Sequence, residues 1–188
     1  MIEFDGTLLL SHPKPIGVLI VGEGHGGREG DDFRTQDTLD NEVDKMGNYY
    51  LNHPDKSFHQ QQVRVLLETL DSQGVSWVFS DLVKCFVWHG IDKKNNLNGM
   101  ENERIAKKYC GKYLADQVTK LQPRKILGMG GKVSQYFGVY KAQHGEKRVV
   151  NVEGFKTIYF HSLFPTQRTA DQWVAKNGWE PIIRQIAN

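Results

Sequence analysis

A chain of 188 residues with 39% hydrophobic and 11% aromatic side chains can bury roughly 70% of the surface its unfolded form exposes, enough for one domain with a sizeable core. Its apolar runs fall far short of the roughly 20 residues of a membrane helix, and its first residues lack the basic-then-apolar order of a secretory leader; no membrane association and a cytoplasmic location are expected. The net charge of +2 hides an asymmetry: residues 22–55 carry nine acidic and three basic side chains, residues 123–170 eight basic and two acidic, and a basic half of this kind suits a phosphate backbone.

In chain order, the first element is the apolar run Val18-Leu19-Ile20-Val21, which stops in the glycine-rich turn Gly22-Glu23-Gly24-His25-Gly26-Gly27. A continuous apolar run is the pattern of a buried parallel strand, and functional groups in open α/β sheets gather at the carboxyl ends of such strands. About 35 mostly polar residues, Glu23 to Ser57, then separate this strand from a helix in which Val63, Leu66, Leu67 and Leu70 recur at helical spacing. That helix stops at Asp71-Ser72-Gln73-Gly74 and leads into a strand over Val75-Ser76-Trp77-Val78-Phe79-Ser80.

A second helix is expected from about Glu103 to Leu121, ended by Pro123, and a third strand over Lys125 to Gly130. A fourth strand, Thr157-Ile158-Tyr159-Phe160, ends at His161. The last helix, about Ala170 to Ile186, carries Trp173, Val174, Ile182, Ile183 and Ile186, with Gly178 and Pro181 marking where it would split. Strands alternating with helices predict a mostly parallel sheet covered on both faces.

The glycine turn formally fits G-x-G-x-x-G, yet Arg28-Glu29-Gly30-Asp31-Asp32 opens no apolar helix and offers a pyrophosphate clustered acids, so a dinucleotide site is disfavoured. Four strand ends taken together point elsewhere. Gly22-Glu23-Gly24-His25-Gly26 resembles the Gly-Glu-Ala-Pro-Gly motif of the uracil-DNA glycosylase superfamily, in the group that usually carries an iron-sulfur cluster. Ser80-Asp81-Leu82-Val83-Lys84-Cys85 is similar to that group's Thr-Asn-x-Val-Lys-Cys. Leu121 to Gly130 resembles its helix, proline, strand and Leu-Gly segment, with Tyr136-Phe137-Gly138 closing the next helix, and His161-Ser162 stands where the family has His-Pro-Ser.

This resemblance implies a single domain over residues 1–188, an α/β/α sandwich in three layers around a four-stranded mostly parallel sheet. It implies a DNA glycosylase that flips a damaged base out of the stack, in base-excision repair, and hydrolyses its N-glycosidic bond. Such cleavage leaves an oxocarbenium-like sugar and an anionic base, so a carboxylate and a hydrogen-bond donor both stabilise the transition state. Glu23 would orient the attacking water and offset the sugar's charge, and His161 would donate to the base oxygen. Gly22, Gly24, His25, Phe58 and Asp81 would line the base, with Phe58 as the stacking ring and Phe33 a second candidate. Ser162, Leu163, Phe164 and Arg168 would meet DNA, Phe164 or Leu163 as wedge and Arg168 on phosphate.

Four departures from the family's pattern refine this expectation. Asp81 replaces the asparagine that matches uracil, and an ionised aspartate offers only acceptors, which leaves either a protonated aspartate matching the edge a cytosine presents or a buried cap with the base read by another residue. Cys85 and Cys110 match two of the four cluster cysteines, but residues 1–20 contain none, so no cluster and no cofactor or metal is expected. His25 replaces the first motif's proline, and the proline after His161 is absent. A monomeric enzyme is the main expectation. A hydrolase of nucleosides or nucleotides, or a nonenzymatic member that binds nucleic acid or a nucleotide, is the alternative.

Overall fold

The computed structural model describes residues 16–24, 58–83 and 111–187. Strand β1 (Val18–Gly24) is followed by helix α1 (Phe58–Ser72) and strand β2 (Trp77–Val83). Then come helical residues 111–121 (α2), β3 (Lys125–Met129) and the short helix α3 (Gly131–Tyr136). Strands β4 (Lys147–Val152) and β5 (Phe155–Ser162) form a hairpin, and α4 (Ala170–Ala175) and α5 (Glu180–Ala187) close the described chain.

The described strands make one sheet in the order β2-β1-β3-β5-β4, with the first four parallel and β4 antiparallel to β5. The expected four-stranded sheet is therefore corrected to five strands. The additional strand is β4, of which only Val150 and Val152 are buried, so its sequence has no continuous apolar run to announce it. Its turn is readable afterwards: Glu153 and Gly154 both have positive φ (49° and 90°), the pattern of a type I′ hairpin turn, and the Gly154 N–H donates to Asn151 Oδ1 at 2.9 Å.

Helices cover both faces. On one, Leu19, Val21, Ile126 and Tyr159 pack with Leu114, Val118 and Leu121 of α2 and Val133 of α3. On the other, Val18, Ile20, Leu127, Met129 and Phe160 pack with Val63, Leu66, Leu67 and Leu70 of α1 and with Trp173, Trp179, Ile182, Ile183 and Ile186 of the C-terminal helices. Val18 to Val21 are each wholly buried, which explains why β1 reads as an unbroken apolar run.

The last helix does split. Asn177 and Gly178 take positive φ (58° and 51°), and Trp173 and Trp179 both anchor the pair to α1, donating to Gln62 Oε1 at 3.0 Å and Gln62 O at 2.6 Å. Among the described residues no helix is long and apolar enough to cross a membrane.

Candidate active site

Strand β1 leads to β2 on one side of the sheet, and the chain then returns to place β3 on the other, so the direction of strand order reverses at β1. Ligands of open parallel sheets bind at the carboxyl ends beside such a reversal. Here those ends carry Glu23, Asp81, Gly130 and His161.

Alternation along the strands sorts these groups onto two faces. Glu23 follows Leu19 and Val21 on the face covered by α2 and α3, and its carboxylate pairs with the Lys132 ammonium in the first turn of α3. His161 follows Tyr159 on the same face, is 4% exposed, and has Nδ1 2.7 Å from Ser134 Oγ, also on α3. The Tyr159 hydroxyl donates to that oxygen at 3.3 Å. Neighbouring strands lie about 4.8 Å apart, so β1 and β5, which flank β3, are separated by about 10 Å. Glu23 and His161 thus lie on one sheet face, on the two strands that flank β3, with His161 level with Val21 through Gly128 and Glu23 two residues farther toward the carboxyl end.

The His161 ring is held neutral more readily than a free imidazole. Burial lowers its pKa most, the neighbouring His144 lowers it further, and Glu146 opposes both. Burial raises the Tyr159 hydroxyl to about 12, so it remains a donor. The backbone fixes the strand end as well: the His161 N–H donates to Glu146 O and the Gly145 N–H to His161 O, each at 2.9 Å. A tyrosine can lie here because position 128 is glycine; a Cβ at Gly128 would stand 2.2 Å from the Tyr159 hydroxyl oxygen.

The opposite face holds a second group. Asp81 is 5% exposed and pairs in register with Gly22, where a Cβ would stand 2.4 Å from Asp81 Oδ1. Phe58, half-buried, packs on the same core, and the next residue, His59, stacks on Phe164 with ring centroids 4.5 Å apart and planes at 17°. Burial lowers the His59 pKa, while the Pro165 backbone and the Asp81 charge act to raise it. Asp81, His59 and Phe164 therefore form one neighbourhood, with Gly22 as its floor.

The remaining expected residues fall around these two groups. Gly24 pairs with Val83 at the last register position of β1. Ser162 is wholly buried, its hydroxyl donating to Leu163 O at 2.7 Å. Leu163 and Phe164 pack inward on the core, and Phe164 lies over Gly130, whereas Arg168 is exposed in the 3-10 turn Gln167–Thr169. His25, Phe33, Cys85 and Cys110 lie outside the described residues, as does most of the polar segment after Glu23. Among the described residues no cluster of three or more His, Cys, Asp or Glu side chains could hold a metal ion.

Sequence reasoning missed Lys132, Ser134, His59 and His144. His144 donates from Nε2 to Gly178 O at 2.7 Å and accepts the Leu163 N–H on Nδ1 at 3.1 Å, so it is a neutral cross-brace between the turn before β4, the exit of β5 and the α4–α5 turn. Its isolation in a polar stretch gave no periodic signal. His59, by contrast, sits beside the aromatic that was chosen, one helix position on.

Comparison with protein-family models gives no match to the chain, and comparison with curated proteins gives none either.

Proposed function

We propose that the protein is a DNA glycosylase-like hydrolase of the uracil-DNA glycosylase type, cleaving the N-glycosidic bond of a flipped, deaminated base. The observation that carries this reading is the placement of Glu23 and His161 on one sheet face, near the carboxyl ends of β1 and β5, strands about 10 Å apart with β3 between them. The four ordered motif resemblances, which include these two residues, support the same reading.

Chemically, the carboxylate of Glu23 positions the attacking water and offsets positive charge on the sugar, while Lys132 holds that carboxylate in place. A neutral His161 donates a hydrogen bond to the base oxygen as negative charge develops there, without surrendering a full proton. Asp81 and His59 meet the base edge from the other face, and Arg168 contacts phosphate.

The binding-only alternative has one observation in its favour. Phe164, the expected wedge, is stacked inward on His59 and would have to leave that ring to enter a duplex.

A cleavage assay decides between them. Labelled single- and double-stranded oligonucleotides carrying uracil, hypoxanthine, xanthine or mismatched cytosine are incubated with the protein, treated with alkali and sized. The expected result is strand breakage at one base, lowered about 100- to 10,000-fold by Glu23→Ala and by His161→Ala. No product from the folded parent on any substrate, alongside salt-sensitive DNA binding, would establish the binding-only reading instead.

A further inference from the structure

His161 lies against a small chain of hydroxyl groups whose protons can be counted. Ser134 Oγ lies 2.7 Å from His161 Nδ1 and 3.0 Å from Gly130 O, and it receives the Tyr159 hydroxyl at 3.3 Å. Ser134 and Tyr159 are 2% and 0% exposed, so their hydroxyls are shielded from bulk solvent and bond chiefly to each other and to the groups named. In this burial the tyrosine proton has Ser134 Oγ as its acceptor, which leaves the serine one lone pair and one proton for two neighbours. If the proton goes to Gly130 O, Nδ1 must itself carry hydrogen, and Nε2 becomes an acceptor. If it goes to Nδ1, the ring hydrogen sits on Nε2, and the outward nitrogen becomes a donor.

Gly130 O already accepts the Ser134 backbone N–H at 3.2 Å, so releasing the serine proton leaves that carbonyl bonded. Nδ1 has the shorter contact. We propose that Ser134, backed by Tyr159, is the positioning residue that fixes the neutral His161 ring with its hydrogen on Nε2, so that the site is offered a donor instead of a lone pair. Which nitrogen of an imidazole carries the proton is set by what the other one meets. A six-residue helix, α3, thereby chooses the chemical role of a histidine that lies on a strand. Ser134 touches no substrate and acts only through the ring. The catalytic meaning of the donor rests on the glycosylase reading, but the tautomer itself does not.

The test reads the ring directly, on the full chain with histidine imidazole nitrogens labelled with 15N, at pH 8, where the ring is neutral. Two-bond couplings from ring carbon protons distinguish a protonated from an unprotonated nitrogen, and His161→Asn assigns the signals. In the parent, His161 is expected to show a protonated Nε2 and an unprotonated Nδ1. Ser134→Ala should remove that preference and move both nitrogen shifts toward averaged values, whereas Ser134→Thr, which restores the hydroxyl, should recover it. Tyr159→Phe should shift Nδ1 in the direction of Ser134→Ala by a smaller amount.

A parent spectrum with hydrogen on Nδ1 overturns the proposal without any variant having to fold, and so does a Ser134→Ala spectrum identical to the parent's. If the parent cleaves DNA, Ser134→Ala should lower kcat about 10- to 100-fold with KM little changed, by analogy with the loss of the outer partner of a metal-bound histidine. If no oligonucleotide is cleaved, the glycosylase reading fails while the nitrogen spectrum still decides the tautomer.

Discussion

Asp81 lies over Gly22 so closely that the glycine's missing Cβ leaves the space its carboxylate occupies; a Cβ there would stand 2.4 Å from Oδ1 but 3.6 Å from the next neighbour, Phe79 Cζ. The first motif's glycine and the second motif's aspartate are thus one steric unit, although 59 positions separate them in sequence.

Gly22→Ala should therefore cost about 1–3 kcal/mol of stability, the range for overpacking a well-filled site. In an Asp81→Ala background the same change should cost less than about 1 kcal/mol, because the clashing atoms are gone. Urea unfolding of the four proteins closes the cycle, and equal costs in both backgrounds would show that the carboxylate is not the obstacle.

Lys132→Ala removes the partner of Glu23. Both side chains are about two-fifths exposed, so the pair should contribute no more than about 1 kcal/mol to folding. If the protein cleaves DNA, cleavage should fall less than in Glu23→Ala, since the carboxylate remains and only its placement loosens. An unfolding midpoint lowered by much more than this would assign Lys132 a structural role.

Stability should also depend on pH near neutrality. His59, His144 and His161 all have pKa values pushed below the ordinary 6.5, in each case chiefly by burial. Below about pH 6.5 the unfolded chain binds protons that these rings resist, so their contribution is complete above that value and is lost as the pH falls through the folded values. Glu146, held below the usual carboxylate range by the Gln143 N–H and Arg148, acts only in a more acid window. Melting temperatures measured from pH 8 down to pH 5 should fall steadily below neutrality, and a flat profile over that range would contradict the burial of the rings.

Trp173 is 2% exposed and spends its indole N–H on the Gln62 side chain. Gln62→Ala should strand that donor and cost about 1–2 kcal/mol, while the Trp179 bond to the Gln62 carbonyl survives. Chemical denaturation measures the loss; an unchanged midpoint would mean the indole finds another acceptor.

If the protein binds DNA, Arg168→Ala should weaken binding to all sequences alike and reduce the salt slope by about 0.9, the value of one lost phosphate contact. Fluorescence anisotropy at a series of salt concentrations reads both effects. An unaltered slope would remove Arg168 from the interface.

Much of this arrangement was legible in the sequence because burial on two faces leaves a simple trace. Val18 to Val21, Ile126 to Met129 and Tyr159 with Phe160 are apolar without a break, and the groups that end them, Glu23 and His161, are conspicuous for that reason. Strand β4 was invisible because Lys147, Arg148 and Val149 are exposed and only alternate positions after them are buried. The supporting groups were harder still. Lys132 and Ser134 sit in a helix too short for a period, and their meaning depends on partners more than 25 residues away that no local pattern connects. The place of Leu163 and Phe164 after the histidine suggests a wedge, but the stacking of Phe164 on His59 follows from the packing of a loop on α1, which sequence spacing does not encode.

Strand β4 has one more effect. As the antiparallel member at the end of the strand order, it carries Lys147 and Arg148 at its start and an uncovered Val149 beside Ile158 of β5. A strand at a sheet margin invites a second chain to dock by main-chain pairing, and charged side chains such as these, which would meet their like in a parallel in-register pairing of two copies, are one way to discourage it. Among the described residues, the same two cations that make this hairpin hard to recognise put charge on the last strand of the sheet.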